Sequence, residues 1–478
     1  MVVSVLNFQF QIYNFKSLSS LGLLMERRVL SLAWPVLVQQ ALIISVGFFD
    51  QWLAGHFRPA DPTQHISYQS AQTTANYLAW FIASCGTLVS VGATAMVARF
   101  VGAKDLDTAN RVTHQSLLLA MVFGAVFSVI GLVFLHDLIY ALRLQATTAE
   151  TAIQFLTPIL ALVMFMVIEL AGVACLVGAG DTRIGLYVLG GVAMLNLILA
   201  PLCLYFVGFM GIAIGTATSH TVGAIAVLIV LSRGRSGLKL RLPLFRPNVD
   251  LMRRLLRISI PASVDSISMG VCQLWFLSLV NQLGETAGAA HGIAIRIESL
   301  GYLSGMAFGT AAAALVGQSL GAGRPADASR FGWLAFRMGC LTMTAMGVFF
   351  FTFAPWLFAQ FCPNPEQAPI IEAGVPVLRL VAFAMPPLSC MIVFTHALRG
   401  AGDSRMPMLF TWIGFLVIRL PLAYLLTRST VDLGVIGTVS GWNLGLIGAW
   451  WAMFVDLFVR GAFFLARFAS GKWQKIKV

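Results

Sequence analysis

Long apolar runs recur every 30 to 40 residues along this chain, and they exceed the length that a helix needs to cross a bilayer. Hydropathy predicts twelve spans. Six lie at roughly residues 32–57, 75–98, 112–136, 150–177, 184–208 and 211–232, and six more at roughly 258–281, 288–316, 331–358, 369–398, 406–427 and 445–467. In hydrocarbon a helix satisfies its own backbone hydrogen bonds, so the expected fold is an all-α membrane protein.

The polar interruptions repeat. "LVGAGDTR" from Leu176 returns as "LRGAGDSR" from Leu398, with six of eight letters identical. "VGAKDLDTANR" from Val101 returns as "LGAGRPADASR" from Leu320, and the Pro35 neighbourhood "LAWPVLVQ" returns as "ISIPASVD" around Pro261. The offsets lie between 219 and 226, far too long for a solenoid. Each pair falls at the same place in its half, so the twelve transmembrane helices form two pseudo-symmetric six-helix lobes. An even number of spans per half makes the halves parallel repeats about an axis along the membrane normal. The two octapeptides are read as equivalent cytoplasmic turns. Gly178 and Gly400 would permit tight reversal, and Asp181 and Asp403 would cap helix ends. No GK[ST] follows the glycines, so they are not nucleotide loops.

Composition and charge place these lobes. The chain is 58% hydrophobic and 10% charged, with 44 glycines, which excludes an ordinary soluble enzyme. Of 31 Lys and Arg, 23 fall at the termini and in the loops after even-numbered spans, three fall in the opposite loops, and five lie within spans. By the positive-inside rule both termini are cytoplasmic, in a multi-pass protein of the inner (plasma) membrane. The net charge of +12 is therefore mostly an orientation signal, and no nucleic-acid partner is indicated. The expected division is a cytoplasmic arm over residues 1–31, a first lobe over 32–232, a basic linker over 233–257, a second lobe over 258–467 and a tail over 468–478. "MERRVLSLAWP" from Met25 reads like a natural beginning, so the first residues are either an over-extended start or an amphipathic arm; they lack the marks of a signal peptide. Seven cysteines without CxxC spacing indicate neither a metal site nor a disulfide framework.

Function must come from polar groups inside the membrane, where a charged side chain costs about 2.5–3.5 kcal/mol on insertion scales. Counted along the helices, Asp50 on span one lies ~12 Å deep from the outer surface, and Asn196 on span five and Thr218 on span six each lie ~10 Å deep. Three oxygen-bearing side chains at one depth are what an ion-binding cluster requires. Glu169 on span four lies ~13 Å from the cytoplasmic end, as a proton relay, a substrate contact or a packing group. In the second lobe, Glu298 and Arg419 differ in depth by a gap that a long arginine can cross, which makes them a structural pair or a cation-responsive one. Asp265 lies one turn past Pro261. Asp456 and Arg460, four residues apart, should neutralise each other. His114, His220, His291 and His396 are read as interhelical contacts ahead of metal ligands.

The ordered set of motifs resembles the multidrug and toxic compound extrusion (MATE) family: the prolines early in spans one and seven, "VGAKDLDTA" and "LGAGRPADA" after spans two and eight, and "GAGDTR" and "GAGDSR" after spans four and ten. The resemblance implies a cation-coupled antiporter that exports organic compounds by alternating access. In the prokaryotic branch it implies cation coupling at Asp50, Asn196 and Thr218, with a helix bend at Pro35. That branch often carries a second Asp four residues after the Asn, where this chain has Ala200. The departure removes one carboxylate and favours H⁺ over Na⁺. The other branch places carboxylates where this chain has Met269 and Leu388.

The leading expectation is therefore a secondary active transporter, not an enzyme, with no cofactor beyond its coupling ion. Its expected partners are small organic, often cationic amphiphilic substrates, H⁺ or Na⁺, and the lipid bilayer, with no obligate protein partner. The alternative is a lipid-linked saccharide flippase of a related superfamily, for which the five intramembrane arginines speak.

Overall fold

The computed structural model describes residues 20–56, 84, 86–141, 146–362, 368–432 and 438–476. The arm over residues 1–19, the start of predicted span two, and Lys16, Arg58, Arg143 and Lys477 lie outside the described residues. The first half comprises α1 (Ser20–His56), α2 (Gly86–Gly102), α3 (Leu106–Val133), the short α4 (Leu135–Ala141), α5 (Ala146–Gly178), α6 (Thr182–Val207) and α7 (Met210–Arg233). The second comprises α8 (Val249–Asn281), α9 (Glu285–Gly321), α10 (Pro325–Ala359), α11 (Ala368–Gly400), α12 (Arg405–Trp412), α13 (Leu420–Thr427) and α14 (Gly445–Ala469). A π-helical turn, Ile413–Arg419, joins α12 to α13 into one span. Among the described residues, ten helices are long and apolar enough to cross a membrane. The remaining two spans are α2, described only from Gly86, and α14, which carries Asp456 and Arg460. A short hairpin, β1 (Thr430–Asp432) antiparallel to β2 (Thr438–Ser440), follows α13 and was not expected from hydropathy.

Local chemistry sets the helix ends. Asp105 accepts from Thr108 N at 3.0 Å, Asp181 from Ile184 N at 3.2 Å and Asn248 from Leu251 N at 3.1 Å, capping α3, α6 and α8. The helix of the seventh span, α8, begins at Val249, nine residues before the predicted span, because "VDLMRRLLR" continues it. The linker before it is held against α3: Asn110 receives Lys239 N at 2.6 Å, His114 Nε2 receives Arg241 N at 2.9 Å, and Gln115 receives Asn248 N at 2.9 Å. His114 is thus a backbone tether.

The lobes exchange the beginnings of their first helices. Val29, Leu32, Ala33 and Val36 of α1 are buried in a core built from α9, α10, α11 and α14. Farther along the same helix, Leu53 is buried among first-lobe residues such as Leu156, Leu204 and Ile212. In the mirror arrangement Leu251, Leu255 and Ile258 of α8 join the first-lobe core, whereas Phe276, Leu279 and Val280 join the second. Pro35 and Pro261 stand at these two handovers. The lobe division expected from hydropathy is amended accordingly, since each first span belongs to both lobes.

At the end that carries the repeated motifs the lobes meet through backbone. A side chain on Gly102 would strike the backbone of Gln318, and one on Gly321 would strike that of Arg99. These are the same contact twice, because Gly102 and Gly321, and Arg99 and Gln318, are each 219 apart. Gln318 also donates to Gly178 O at 2.9 Å and accepts from Arg28 at 3.2 Å. Ser259 Oγ accepts from Gly92 N at 2.8 Å, and Thr87 and Ser263 hydroxyls meet at 2.8 Å. These contacts join the two lobes at the end that carries the Gly102 and Gly321 motifs.

Candidate cation-coupling site

The repeated octapeptides do two jobs. Gly180 and Gly402 adopt φ +90° and +91°, the left-handed turn that other residues resist. Gly178 and Gly400 serve a different purpose from the expected turn: added side chains would run into the backbone of Thr94 on α2 and Ala313 on α9, so these glycines permit close helix approach. Asp181 caps α6 and accepts from Arg235 at 2.8 Å and Ser236 at 2.9 Å. Asp403 accepts from Arg467 at 2.6 Å and from Met406 N at 3.4 Å. In each lobe an aspartate thus ties the fifth span to an arginine at or just past the C-terminal end of the sixth.

The outer half of the first lobe contains the candidate site. Asp50 on α1 is 8% exposed and Asn196 on α6 is 2% exposed. Asn196 Nδ2 donates to Thr216 Oγ1 at 2.8 Å, and Thr216 also lies within side-chain hydrogen-bonding reach of Asp50. Thr218 does not join them. It is half-buried on α7, two residues on, and two helical residues are about 200° apart, so it projects from the opposite side. The depth count alone could not separate the two threonines; the 3.6-residue period could, once one knew which face of α7 meets Asn196.

Thr216 has one hydroxyl proton and two acceptors in reach. Ile212 O takes it at 3.1 Å, and the Asp50 carboxylate is the alternative. Asp50 Oδ1 and Asn196 Oδ1 are buried without a hydrogen-bond partner among the described residues. Ala200, fully buried, stands where α6 touches α7, and Gly215 has no room for a side chain against Ala200 and Leu199. The site therefore offers one carboxylate and two neutral oxygen groups.

Glu169 on α5 is fully buried and meets His220 Nδ1 at 2.8 Å. A cavity of about 70 Å³ lies between α5 and α7, lined by Met166, Thr216, Ala217 and His220 among others. Thr216 thus borders both this cavity and the Asp50 cluster.

The second lobe uses its charges differently from expectation. Arg419 does not pair directly with Glu298; it donates to Asp456 at 2.7 Å, and Arg460 donates to the same carboxylate at 2.7 Å. The π-helical turn accounts for the difference. It adds a residue to the turn and brings Arg419 toward α14, where Gly414 leaves space for Asp456 and Arg460. Both guanidinium groups lie over the Phe415 ring, at 4.3 and 4.7 Å. Glu298 is half-buried within electrostatic range of Arg419. Asp265 is paired with Arg399 at 2.5 Å, joining α8 to α11. Sequence reasoning counted Arg399 as an orientation charge, yet it is where the octapeptides differ most, with Val177 in the other copy.

The comparisons agree with this architecture. A "Probable multidrug resistance protein NorM" of Thermotoga maritima is 27% identical over 461 residues, covering 94% of this chain and 93% of that protein. An "Uncharacterized transporter YisQ" of Bacillus subtilis is 23% identical over 93% of this chain and 94% of its own length. The fold is shared with a solved structure described as the "Outward-facing conformation of a multidrug resistance MATE family transporter of the MOP superfamily", at TM-score 0.83 and 21% identity, covering 94% and 97% of the two chains. The MatE family model matches residues 35–202 and 261–425, one stretch in each lobe, and the chain belongs to this family of membrane transporters.

Proposed function

We propose that the protein is a proton-coupled antiporter that exports organic, often cationic amphiphilic compounds across the inner (plasma) membrane, with both termini cytoplasmic. The observation that carries this reading is the buried carboxylate of Asp50, set beside neutral Asn196 and Thr216 on a helix that passes from one lobe to the other at Pro35. Burial disfavours a charged carboxylate, so Asp50 gains from either a proton or a cationic substrate. The two compete. A proton arriving from outside neutralises Asp50 and removes its attraction for the substrate. Thr216 then returns its hydroxyl proton to Ile212 O, and the outer part of α1 is freed to move against its lobe while its inner part stays with the other. Pro35 lacks an amide proton and weakens the helix at that handover.

A hard cation such as Na⁺ must replace its hydration shell with several oxygens. Asp50, Asn196 and Thr216 supply few, and Ala200 supplies none, which favours H⁺. A saccharide flippase would need a strongly cationic cavity. Here Arg419 and Arg460 share Asp456, Arg399 is paired with Asp265, and Arg379 lies over Phe351, which favours the exporter. Purified protein in liposomes containing ethidium tests the reading. Ethidium movement driven by an imposed pH gradient, and not by a Na⁺ gradient, is expected; movement driven by Na⁺ alone would replace the proton, and movement under neither would refute the antiporter.

A further inference from the structure

Asp50 is not the only buried carboxylate of the first lobe. Glu169 has no exposed surface, its Oε2 meets His220 Nδ1 at 2.8 Å, and its Oε1 is buried without a partner among the described residues. The pair is built into the lobe: Gly223 on α7 leaves the space that the carboxylate occupies, since a side chain there would press on Glu169 and Val192. His220 and Thr216 are one turn apart on α7, and both line the cavity of about 70 Å³. Five of its seven lining residues are apolar, and Thr216 and His220 are the polar groups on its wall. Thr216 contacts the Asp50 cluster on the other side, so the cavity lies between two titratable sites.

Among the described residues no arginine or lysine pairs with Glu169 or His220. On α1 the titratable groups are Asp50 and, near the start of the helix, Glu26, Arg27 and Arg28. On α3 they are Asp107 and Arg111 in the first turns and His114, tied to Asn110 O and Arg241 N. On α2 Arg99 donates to Ile476 O, and on α5 itself the titratable neighbour toward the cytoplasm is Cys175, buried against α3. α4 contributes His136 and Asp137 at the outer end, and α6 presents Asn196 and Val192 toward α7. α9 reaches α5 through Gln318, at Gly178. Interhelical bracing alone does not require an ionisable carboxylate with an unpartnered oxygen facing a half-buried imidazole.

We propose that Glu169 and His220 form a second proton-binding site of the first lobe, exchanging protons with Asp50 through the cavity that Thr216 and His220 share. The proposal rests on the proton-coupled reading above. With Nδ1–H donated to the Glu169 carboxylate, His220 takes the additional proton at Nε2. The pair then passes from one net negative charge to none, and releasing that proton restores the negative charge. A second site in series gives the inner half of the lobe its own neutralisation step, so a proton leaving Asp50 need not go straight to bulk water.

Purified full-length protein in weakly buffered detergent solution, with a pH dye and added ethidium, tests this by counting protons released per ethidium bound. Release is expected to fall about twofold in Asp50→Asn and to vanish in Asp50→Asn/His220→Gln. Loss of all release in Asp50→Asn alone, where Glu169 and His220 are intact, would overturn the second site and leave the proposed function standing. The same holds if adding His220→Gln changes nothing. Glu169→Gln, checked for membrane insertion and monodispersity, should shift the pH profile of efflux; an unshifted profile also counts against the site. Wild-type protein that binds ethidium without releasing protons would overturn the proposed function and this inference with it.

Discussion

A carboxylate beside an amide and a hydroxyl, with no arginine or lysine paired with it among the described residues, depends on what binds it. The same residue type elsewhere in this protein is permanently matched: Asp456 by two arginines, Asp265 by Arg399, Asp403 by Arg467. Asp50 alone among these faces neutral groups, and that contrast marks it for exchange. Thr216→Val should lower proton-driven ethidium efflux about tenfold, the consequence of leaving a buried partner unsatisfied, whereas Thr218→Val should leave it within about twofold. Equal effects would remove the argument from the face of α7. Outside the membrane, Asp181 shows the opposite balance. Burial raises its carboxyl, but the hydrogen bonds from Arg235, Ser236 and Ile184 N outweigh it and hold the carboxyl below its ordinary range. A depressed folded value contributes stability above the unfolded value, and that contribution is lost as pH falls through the folded one. Asp181→Ala should therefore cost about 1 kcal/mol at neutral pH, with the difference from wild type shrinking below about pH 4 in thermal unfolding.

The helical elements were legible because apolar runs of bilayer length admit little else. Their finer features were not. The π-helical turn at Ile413–Arg419 leaves no period in an all-apolar stretch, so the partner of Arg419 was misassigned to Glu298 when Asp456 is the residue it meets. Thr218 was taken for Thr216 because depth along a helix is readable from sequence and azimuth is not, when every face is apolar. The pairing of Glu169 with His220 left a signal that could have been followed: the two residues each stand about 13 Å from opposite ends of their spans, and so at comparable depth. At the handovers, prolines were legible as repeats but not as boundaries between cores. Pro35→Ala should restore a backbone hydrogen bond to α1 and slow ethidium efflux in vesicles while leaving ethidium affinity unchanged; an unchanged efflux rate would deny the handover a role.

At the scale of the whole molecule, duplication accounts for how the lobes meet. Contacts that pair Gly102 with Gln318 and Gly321 with Arg99 are equivalent under the repeat, so one sequence motif, used twice, closes the cytoplasmic end. Gly102→Val should cost about 1–3 kcal/mol of this closed arrangement and shift the population toward a cytoplasm-open one. Distances between spin labels on the cytoplasmic ends of α3 and α10 would lengthen; an unaltered distribution would mean that the seal lies elsewhere. The two-lobed plan and the repeated turns could be read from the sequence because they recur. The exchange of first-helix beginnings could not, since either lobe offers an equally apolar surface to Val29 or Leu255.

The claim on which the account depends is that Asp50 couples the gradient to export. It is tested most directly by ethidium efflux from inverted vesicles under a fixed pH gradient, with wild type and Asp50→Asn inserted to equal levels. The account predicts driven efflux in the wild type and its loss, to the rate of empty vesicles, in the variant. Driven efflux of equal size in both would contradict it.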